Sequence, residues 1–196
     1  MKLIGLTGTS GSGKGYVAAC FAERGIDSID TDALVHRLYR KDAECIAALE
    51  KAFGPLQDVN GAIDRRRLAG IVFTDREKLA TLNAIVHRFV AREVKRISAE
   101  REAAGCNLLL LDAPQLYEAG MEQICHKVIA VTAPESLRLE RICARDRIDA
   151  AAAHLRMNNQ HSDAFFADRA DFVIRNDGVE SVEAQVDHII GEVQHG

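Results

Sequence analysis

The glycine-rich stretch Gly8-Thr9-Ser10-Gly11-Ser12-Gly13-Lys14-Gly15 is the clearest structural signal in the sequence. It follows an apolar run at residues 3–6 and precedes a helix-like stretch at residues 16–23. Glycines let the backbone curl so that successive N–H groups converge on phosphate oxygens, and the following helix directs its positive dipole end at the same anion. Lys14 adds a flexible positive charge that can reach the β- and γ-phosphates. The pattern GxxxxGK in this position therefore predicts a nucleotide phosphate site.

The remaining apolar runs place this loop in an α/β fold. Short runs of this kind, bounded by glycine, proline or charge, are typical of strands buried on both faces of a parallel sheet. They lie at residues 3–6, 26–29, 108–111, 128–131 and 172–174. Helix-like stretches separate them, at residues 16–23, 43–53, 75–101 and 134–147. Alternating strands and helices indicate a five-stranded parallel sheet with right-handed crossovers.

Two longer segments interrupt this alternation. Residues 32–105 are mostly helical and too long for one crossover, so we expect a helical insertion after the second strand. A smaller excursion at residues 141–160 is rich in arginine and alanine. The whole chain, 1–196, is thus expected to form one domain with a core made of residues 1–31, 106–140 and 161–196.

The composition excludes several classes of protein. With 196 residues, 47% apolar and 28% charged, the chain has the mix of a folded domain and not of a disordered one. The net charge of −4 predicts no nucleic-acid partner, because duplex-binding proteins are normally basic. No apolar run approaches the ~20 residues needed to cross a bilayer, so we expect no membrane association.

The cysteines and the N-terminus predict the compartment. The five cysteines are odd in number and include no CxxC pair, which argues against a disulfide framework and a zinc cluster. The chain runs from Met1 into the glycine loop without the apolar region of a signal peptide. We therefore expect a cytoplasmic protein, present as a monomer or a weak homo-oligomer.

Carboxylates follow two of the apolar runs. Asp30 and Asp32 come after the second run, and Asp112 ends the third. In an open parallel sheet, ligands lie at the carboxyl ends of the strands. One carboxylate there can accept the proton of an attacking hydroxyl, and another can hold magnesium, as phosphoryl transfer requires. The alternative for Asp30 and Asp32 is structural, because aspartate is a good helix N-cap.

A series of motifs accompanies the loop along nearly the whole chain, from Leu3 to about Gln185. They are Ile29-Asp30-Thr31-Asp32, Phe53-Gly54, Asp64-Arg65, Ile85-Val86-His87, Asp112-Ala113-Pro114-Gln115-Leu116-Tyr117-Glu118, Arg141 with Arg145, Gln160, and Ala170-Asp171-Phe172-Val173-Ile174. In this order they resemble the dephospho-coenzyme A kinases. The resemblance implies a three-layer P-loop NTPase fold, with residues 32–105 binding the acceptor and residues 141–160 forming a lid. It also implies phosphorylation of the ribose 3′-hydroxyl of dephospho-CoA by ATP, with Mg²⁺ as cofactor.

Residue chemistry and this resemblance together assign candidate roles. The expected ATP contacts are Gly8, Gly11, Ser12, Gly13, Lys14, Gly15, Tyr16 and Arg145. The expected catalytic residues are Lys14, Asp32 and Arg141, the arginine as a charge clamp on the transferring phosphoryl group. By resemblance, the acceptor contacts are Asp32, His87, Tyr117 and Glu118. Asp112 is expected to hold Mg²⁺ through water.

Several positions depart from the family pattern, and two of them leave alternatives open. Gly15 stands where the family usually has serine or threonine, and Tyr16 where it usually has threonine. The first departure is compatible with an inactive relative. The Gly-Lys-Gly order also resembles adenylate kinases, so another small-molecule or nucleoside monophosphate kinase is a second reading. A nucleotide-dependent regulatory module is the third.

Overall fold

The computed structural model describes residues 1–195, which divide into two compact units. The first unit combines Met1–Ile29 with the chain from Cys106 onward, and the second is Asp30–Gly105. Among the described residues, no helix combines the length and the apolar character that a membrane span requires.

The first unit contains a five-stranded parallel sheet. Its strands are β1 (Lys2–Gly8), β2 (Ser28–Asp30), β3 (Leu108–Asp112), β4 (Lys127–Thr132) and β5 (Phe172–Arg175), and their order is β2-β3-β1-β4-β5. β1 is central, and its register sets Leu6 opposite Asp112 of β3. The α/β fold and the parallel sheet expected from the sequence are confirmed.

The prediction that the strands are buried on both faces of the sheet is confirmed for the inner strands, but it is wrong for the two edge strands. β1, β3 and β4 are almost entirely buried, whereas β2 and β5 each expose part of their residues. An edge strand lacks a neighbour on one side, and fewer helices cover it. Ile26, expected in the second strand, lies before β2, although its neighbour Asp27 already accepts a hydrogen bond from the Leu110 amide.

The first unit also contains helices. They are α1 (Lys14–Glu23), α6 (Glu135–Asp146), α7 (Ala150–Asn158), α8 (Asp163–Ala167) and α9 (Val182–His195), with a short 3₁₀ turn at Met121–Ile124. α1, α8 and α9 contact the sheet, whereas α7 packs on α6. Phe21 of α1 and Val186 of α9 are fully buried with Ile4 and Ile129 of the sheet. α1 begins two residues earlier than expected, at Lys14, so the lysine of the loop is also the first residue of the helix.

The second unit is helical, and an aspartate directly before each of its helices caps that helix. The helices are α2 (Thr31–Lys41), α3 (Ala43–Phe53), α4 (Arg65–Val72) and α5 (Arg76–Ala103). The caps are Asp30, Asp42, Asp64 and Asp75, whose side chains accept backbone N–H groups of the first turn at 2.8–3.2 Å. These bonds satisfy amides that the helix itself leaves unpaired.

Candidate active site

The loop between β1 and α1 adopts a conformation that only glycine allows at two points. Gly11 has a φ of 82° and Gly13 a φ of 93°, in the left-handed region. A Cβ at Gly11 would lie 2.6 Å from the carbonyl oxygen of Arg138, and one at Gly13 would overlap the Asn176 amide. α6 and the end of β5 therefore pack directly against the loop.

The outward-facing carbonyl oxygens of the loop are held by side chains. Arg141 of α6 donates to the oxygens of Gly11 at 3.3 Å and Ser12 at 3.4 Å. Its other Nη donates to the backbone and side-chain oxygens of Asn176 at 3.2 and 3.4 Å. Asn176 in turn donates to the Ser12 oxygen at 2.9 Å. These contacts fix the carbonyls on one side, which orients the intervening amides to the other.

The loop presents donors without protein partners. α1 has Gly13 as its N-cap and no side-chain cap, and its Tyr16 amide donates to the Gly13 oxygen at 2.9 Å, so the amides of Lys14 and Gly15 are the ones that the helix leaves to an anion. Within residues 1–195, the buried Oγ of Ser12 also has no hydrogen-bond partner. A buried hydroxyl without a partner is costly, and a phosphate oxygen would satisfy it. The loop thus has the donor set of a phosphate site.

Lys14 contacts the carboxylate of Asp112, at the carboxyl end of β3. Both side chains are mostly buried, so the ammonium group has exchanged water for this carboxylate. A nucleotide phosphate beside the loop would offer the ammonium a second anion. The structure therefore brings together the loop, Lys14, Asp112 and Arg141, and their catalytic roles stay predictions.

A model of the dephospho-CoA kinase family matches residues 2–181. The chain belongs to that family. A curated dephospho-CoA kinase of Bradyrhizobium diazoefficiens is 38% identical over 194 residues, covering 98% of this chain and 96% of its own. Among solved structures, TT1252 of Thermus thermophilus has 34% identity and a TM-score of 0.80, over 99% of this chain and 96% of that one. Dephospho-CoA kinase from Campylobacter jejuni has 25% identity and a TM-score of 0.72, over 100% and 99%.

Two residues expected to contact ATP have side chains directed elsewhere. Arg145 forms a bidentate pair with Asp146 at 2.8 Å, and these hydrogen bonds lower the pKa of the Asp146 carboxyl. Tyr16 donates its hydroxyl to Glu183 of α9, which raises the pKa of the phenol to about 12. The structure does not bring either side chain to the loop, and their contacts with ATP stay predictions.

Tyr117 and Glu118, expected from the family resemblance to contact the acceptor, lie beside the chain that precedes β5. The ring of Tyr117 packs edge-on to Phe165 at 5.8 Å, and burial raises the pKa of its phenol. In the described part of the chain, its buried hydroxyl has no hydrogen-bond partner. Glu118 lies 3.7 Å from the ring nitrogen of His161. Their acceptor contacts stay predictions.

The remaining acceptor candidates of this kinase family member lie in the second unit. Asp32 is exposed in the first turn of α2, and His87 is half-buried on α5. Asp30, not Asp32, is the N-cap of α2, with its carboxylate 3.0 Å from the Ala33 amide. The capping role that the sequence left open for both aspartates therefore belongs to Asp30.

Sequence reasoning missed three residues that contact the loop or its partners: Arg138, Asp163 and Asn176. Arg138 precedes Arg141 by three positions and so shares its helix face, a spacing that could have revealed it. Asn176 follows β5 at the carboxyl end of the sheet, where ligands of such folds lie. Asp163 carried no local signal.

Proposed function

We propose that this chain transfers the γ-phosphoryl group of ATP to the 3′-hydroxyl of the ribose of dephospho-CoA, giving coenzyme A and ADP. The observation that carries the proposal is the family match over residues 2–181, which includes the phosphate loop. The curated relative at 38% identity bears the name of this activity. A different nucleoside monophosphate kinase is not favoured, because the match extends over both units and not over the loop alone.

The donor half of the reaction uses the loop. The amides of Lys14 and Gly15 in the first turn of α1 and the Oγ of Ser12 bind phosphate oxygens, and the positive φ angles of Gly8, Gly11 and Gly13 give the loop the backbone conformation that this requires. Lys14 leaves Asp112 for the β- and γ-phosphates, where its charge stabilises the negative charge of the transition state. Arg141 adds a second positive charge next to the loop.

In the acceptor half of the reaction, we assign Asp32 as the base that takes the proton of the 3′-hydroxyl. As the 3′-oxygen bonds to the γ-phosphorus, the bond from that phosphorus to the ADP oxygen breaks, and the hydroxyl proton passes to the carboxylate. Asp32 is exposed and unused as a cap, which supports this role. We assign residues 32–105 to acceptor binding, with His87 as a contact, and residues 141–160 to a lid.

Magnesium is the proposed cofactor, and the side chains present fit it. Among the described residues, no three His, Cys, Asp or Glu side chains form a group able to hold a metal. Mg²⁺ commonly keeps several waters and binds one or two carboxylates together with substrate phosphates, so a complete protein cage is not required. Asp112 would hold it through water. When bound, the ion neutralises charge on the transferring phosphoryl group.

We further propose that the protein works in the cytoplasm as a monomer or weak homo-oligomer, without nucleic-acid or membrane partners. The five cysteines are all free in the structure, which fits a reducing compartment. The net charge of −4 gives the molecule no general attraction to polyanions.

The position of phosphorylation provides the direct test. We expect ADP release with dephospho-CoA and none with its 3′-deoxy analogue, which should instead inhibit competitively because it retains every other group of the acceptor. Phosphorus NMR of the product should show a 3′-phosphomonoester. Phosphorylation of the 3′-deoxy analogue at comparable rate would contradict the proposal.

A further inference from the structure

Arg138 is a buried arginine on α6 that no role in catalysis or ATP contact accounts for. It is 7% exposed, its Nη1 lies 3.2 Å from Oδ2 of Asp163, and its Nε donates to the carbonyl oxygen of Ser10 at 3.2 Å. A buried guanidinium is costly unless it is paired and hydrogen-bonded. Arg138 meets that requirement with one carboxylate and one carbonyl of the phosphate loop.

Asp163, the partner of Arg138, also contacts the phosphate loop. Its other oxygen, Oδ1, accepts a hydrogen bond from the hydroxyl of Thr9 at 2.6 Å. Thr9 is itself buried and directly precedes Ser10. Arg138 and Asp163 therefore close a ring of polar contacts on two adjacent loop residues, from the Thr9 hydroxyl to the Ser10 carbonyl.

This ring lies at the opposite end of the loop from the contacts of Arg141 and Asn176. Those two side chains hold the oxygens of Gly11 and Ser12, next to α1, whereas the ring holds the residues that leave β1. Gln160 adds to it by accepting the Ser10 amide at 2.9 Å. The loop is thus fixed at both ends before any phosphate arrives.

We propose that the Arg138–Asp163 ion pair is a positioning element for ATP: it presets the Thr9–Ser10 end of the loop so that the loop amides converge on the phosphates. Neither side chain contacts the nucleotide in this account. Holding the loop in its binding conformation removes an ordering cost from ATP binding. The inference rests on the proposed function only for its second measurement, turnover with dephospho-CoA.

The first measurement is ATP binding to the purified protein without acceptor. Asp163→Asn and Arg138→Gln should each weaken ATP binding about tenfold, because each removes charge-assisted hydrogen bonds to the loop. Arg138→Lys should give an intermediate loss, since an ammonium keeps the charge but not the fork geometry. Arg24→Gln is the matched control, because Arg24 also pairs with a carboxylate, that of Asp187, but lies at the C-terminal end of α1, away from the loop. It should bind ATP like the wild type.

Turnover separates positioning from a purely structural role. In the variants the KM for ATP should rise, whereas the KM for dephospho-CoA should stay within about twofold. Unchanged ATP affinity in folded variants, even with lower melting temperatures, would overturn the proposal, because the pair would then only stabilise the fold. An equal rise of both KM values would also overturn it.

Thr9→Val keeps the test informative if the Arg138 and Asp163 variants do not fold. Valine matches threonine in shape but leaves the Asp163 carboxylate without the Thr9 donor. ATP binding by Thr9→Val alone should weaken, and unchanged binding by the folded variant would contradict the proposal. Where Asp163→Asn does fold, its effect in the Thr9→Val background should be smaller than its effect alone. Full additivity would contradict a shared ring. If ATP affinity follows these expectations while dephospho-CoA is not phosphorylated, the positioning role holds and the proposed function fails.

Discussion

At the residue scale, the two aspartates at the start of α2 have different expected roles: Asp30 caps the helix, and Asp32 is the proposed base. Asp32→Asn should lower kcat by about 10²–10⁴-fold, because asparagine keeps the size but cannot accept the hydroxyl proton. Asp30→Asn is the matched control, since asparagine caps helices as well as aspartate does and Asp30 accepts the Ala33 amide of the first turn. Its kcat should change little. An unchanged kcat for Asp32→Asn in steady-state assays would remove Asp32 from the reaction.

Gly15 tests whether the missing hydroxyl matters. A Cβ at Gly15 would meet nothing within 4 Å, so Gly15→Ser should fold without strain. We expect its kcat to stay within about tenfold of wild type, because water can occupy a vacant place in the magnesium shell. The measurement is acceptor turnover over a magnesium series. A wild type that binds ATP but shows no turnover at any magnesium concentration, together with activity in Gly15→Ser, would identify a disabled kinase.

Asp112 carries the complementary prediction for magnesium. Asp112→Asn should raise the magnesium concentration needed for half-maximal rate, because an amide oxygen attracts the hydrated ion less than a carboxylate does. The same change frees Lys14 from its ion pair, so ATP binding without magnesium should not weaken. A magnesium requirement identical to that of the wild type would mean that Asp112 serves Lys14 alone.

Whether a site residue could be predicted from the sequence depends on how far along the chain its partners lie. Gly11, Gly13 and Lys14 could be predicted because the motif itself states the backbone geometry and charge that phosphates need. Arg138 and Asp163 could not, because their partners in the loop lie 128 and 154 positions away. No local pattern records such a contact. The side-chain direction of Arg145 was equally hidden, since it depends on the neighbouring Asp146.

At the element scale, the lid at residues 141–160 stays a prediction, and it concerns mainly α7. α6 runs through residue 141 to Asp146, and Arg141 already contacts the loop, so the expected lid boundary falls inside a helix. α7 packs on α6 through a small cluster of Ile142, Ala153 and Met157. ATP and acceptor together should protect residues 141–160 from hydrogen exchange, most strongly in α7, because closure excludes water from the phosphoryl group. α9 is the internal control. Equal exchange with and without ligands would contradict a lid.

The elements that the sequence predicted well are those with strong local signals. α3 has the expected bounds, residues 43–53, and α5 differs from its expected bounds by one or two residues at each end, because both carry long apolar periodicity and aspartate caps. α8 was not predicted, since five residues are too short to show a period. The sequence predicted the positions of the edge strands but not their exposure, because burial depends on which helices cover them.

At the scale of the whole molecule, the acceptor role proposed for the helical unit Asp30–Gly105 predicts what a small kinase gains from an insertion. A large acceptor offers binding energy far from its reacting hydroxyl, and an enzyme can use that energy to position the reacting groups. Four helices with aspartate caps give the unit a defined structure of its own. Truncated acceptors should therefore lose kcat as well as affinity.

ADP release by the wild-type protein, measured with dephospho-CoA, AMP, CMP and shikimate as acceptors, tests the acceptor assignment. We expect turnover with dephospho-CoA to exceed turnover with every other acceptor by orders of magnitude, because the others lack the remote groups that the insertion would bind. Comparable rates with AMP would contradict it and assign the chain to the adenylate kinase class. Phosphorylation of shikimate alone would contradict the acceptor assignment altogether.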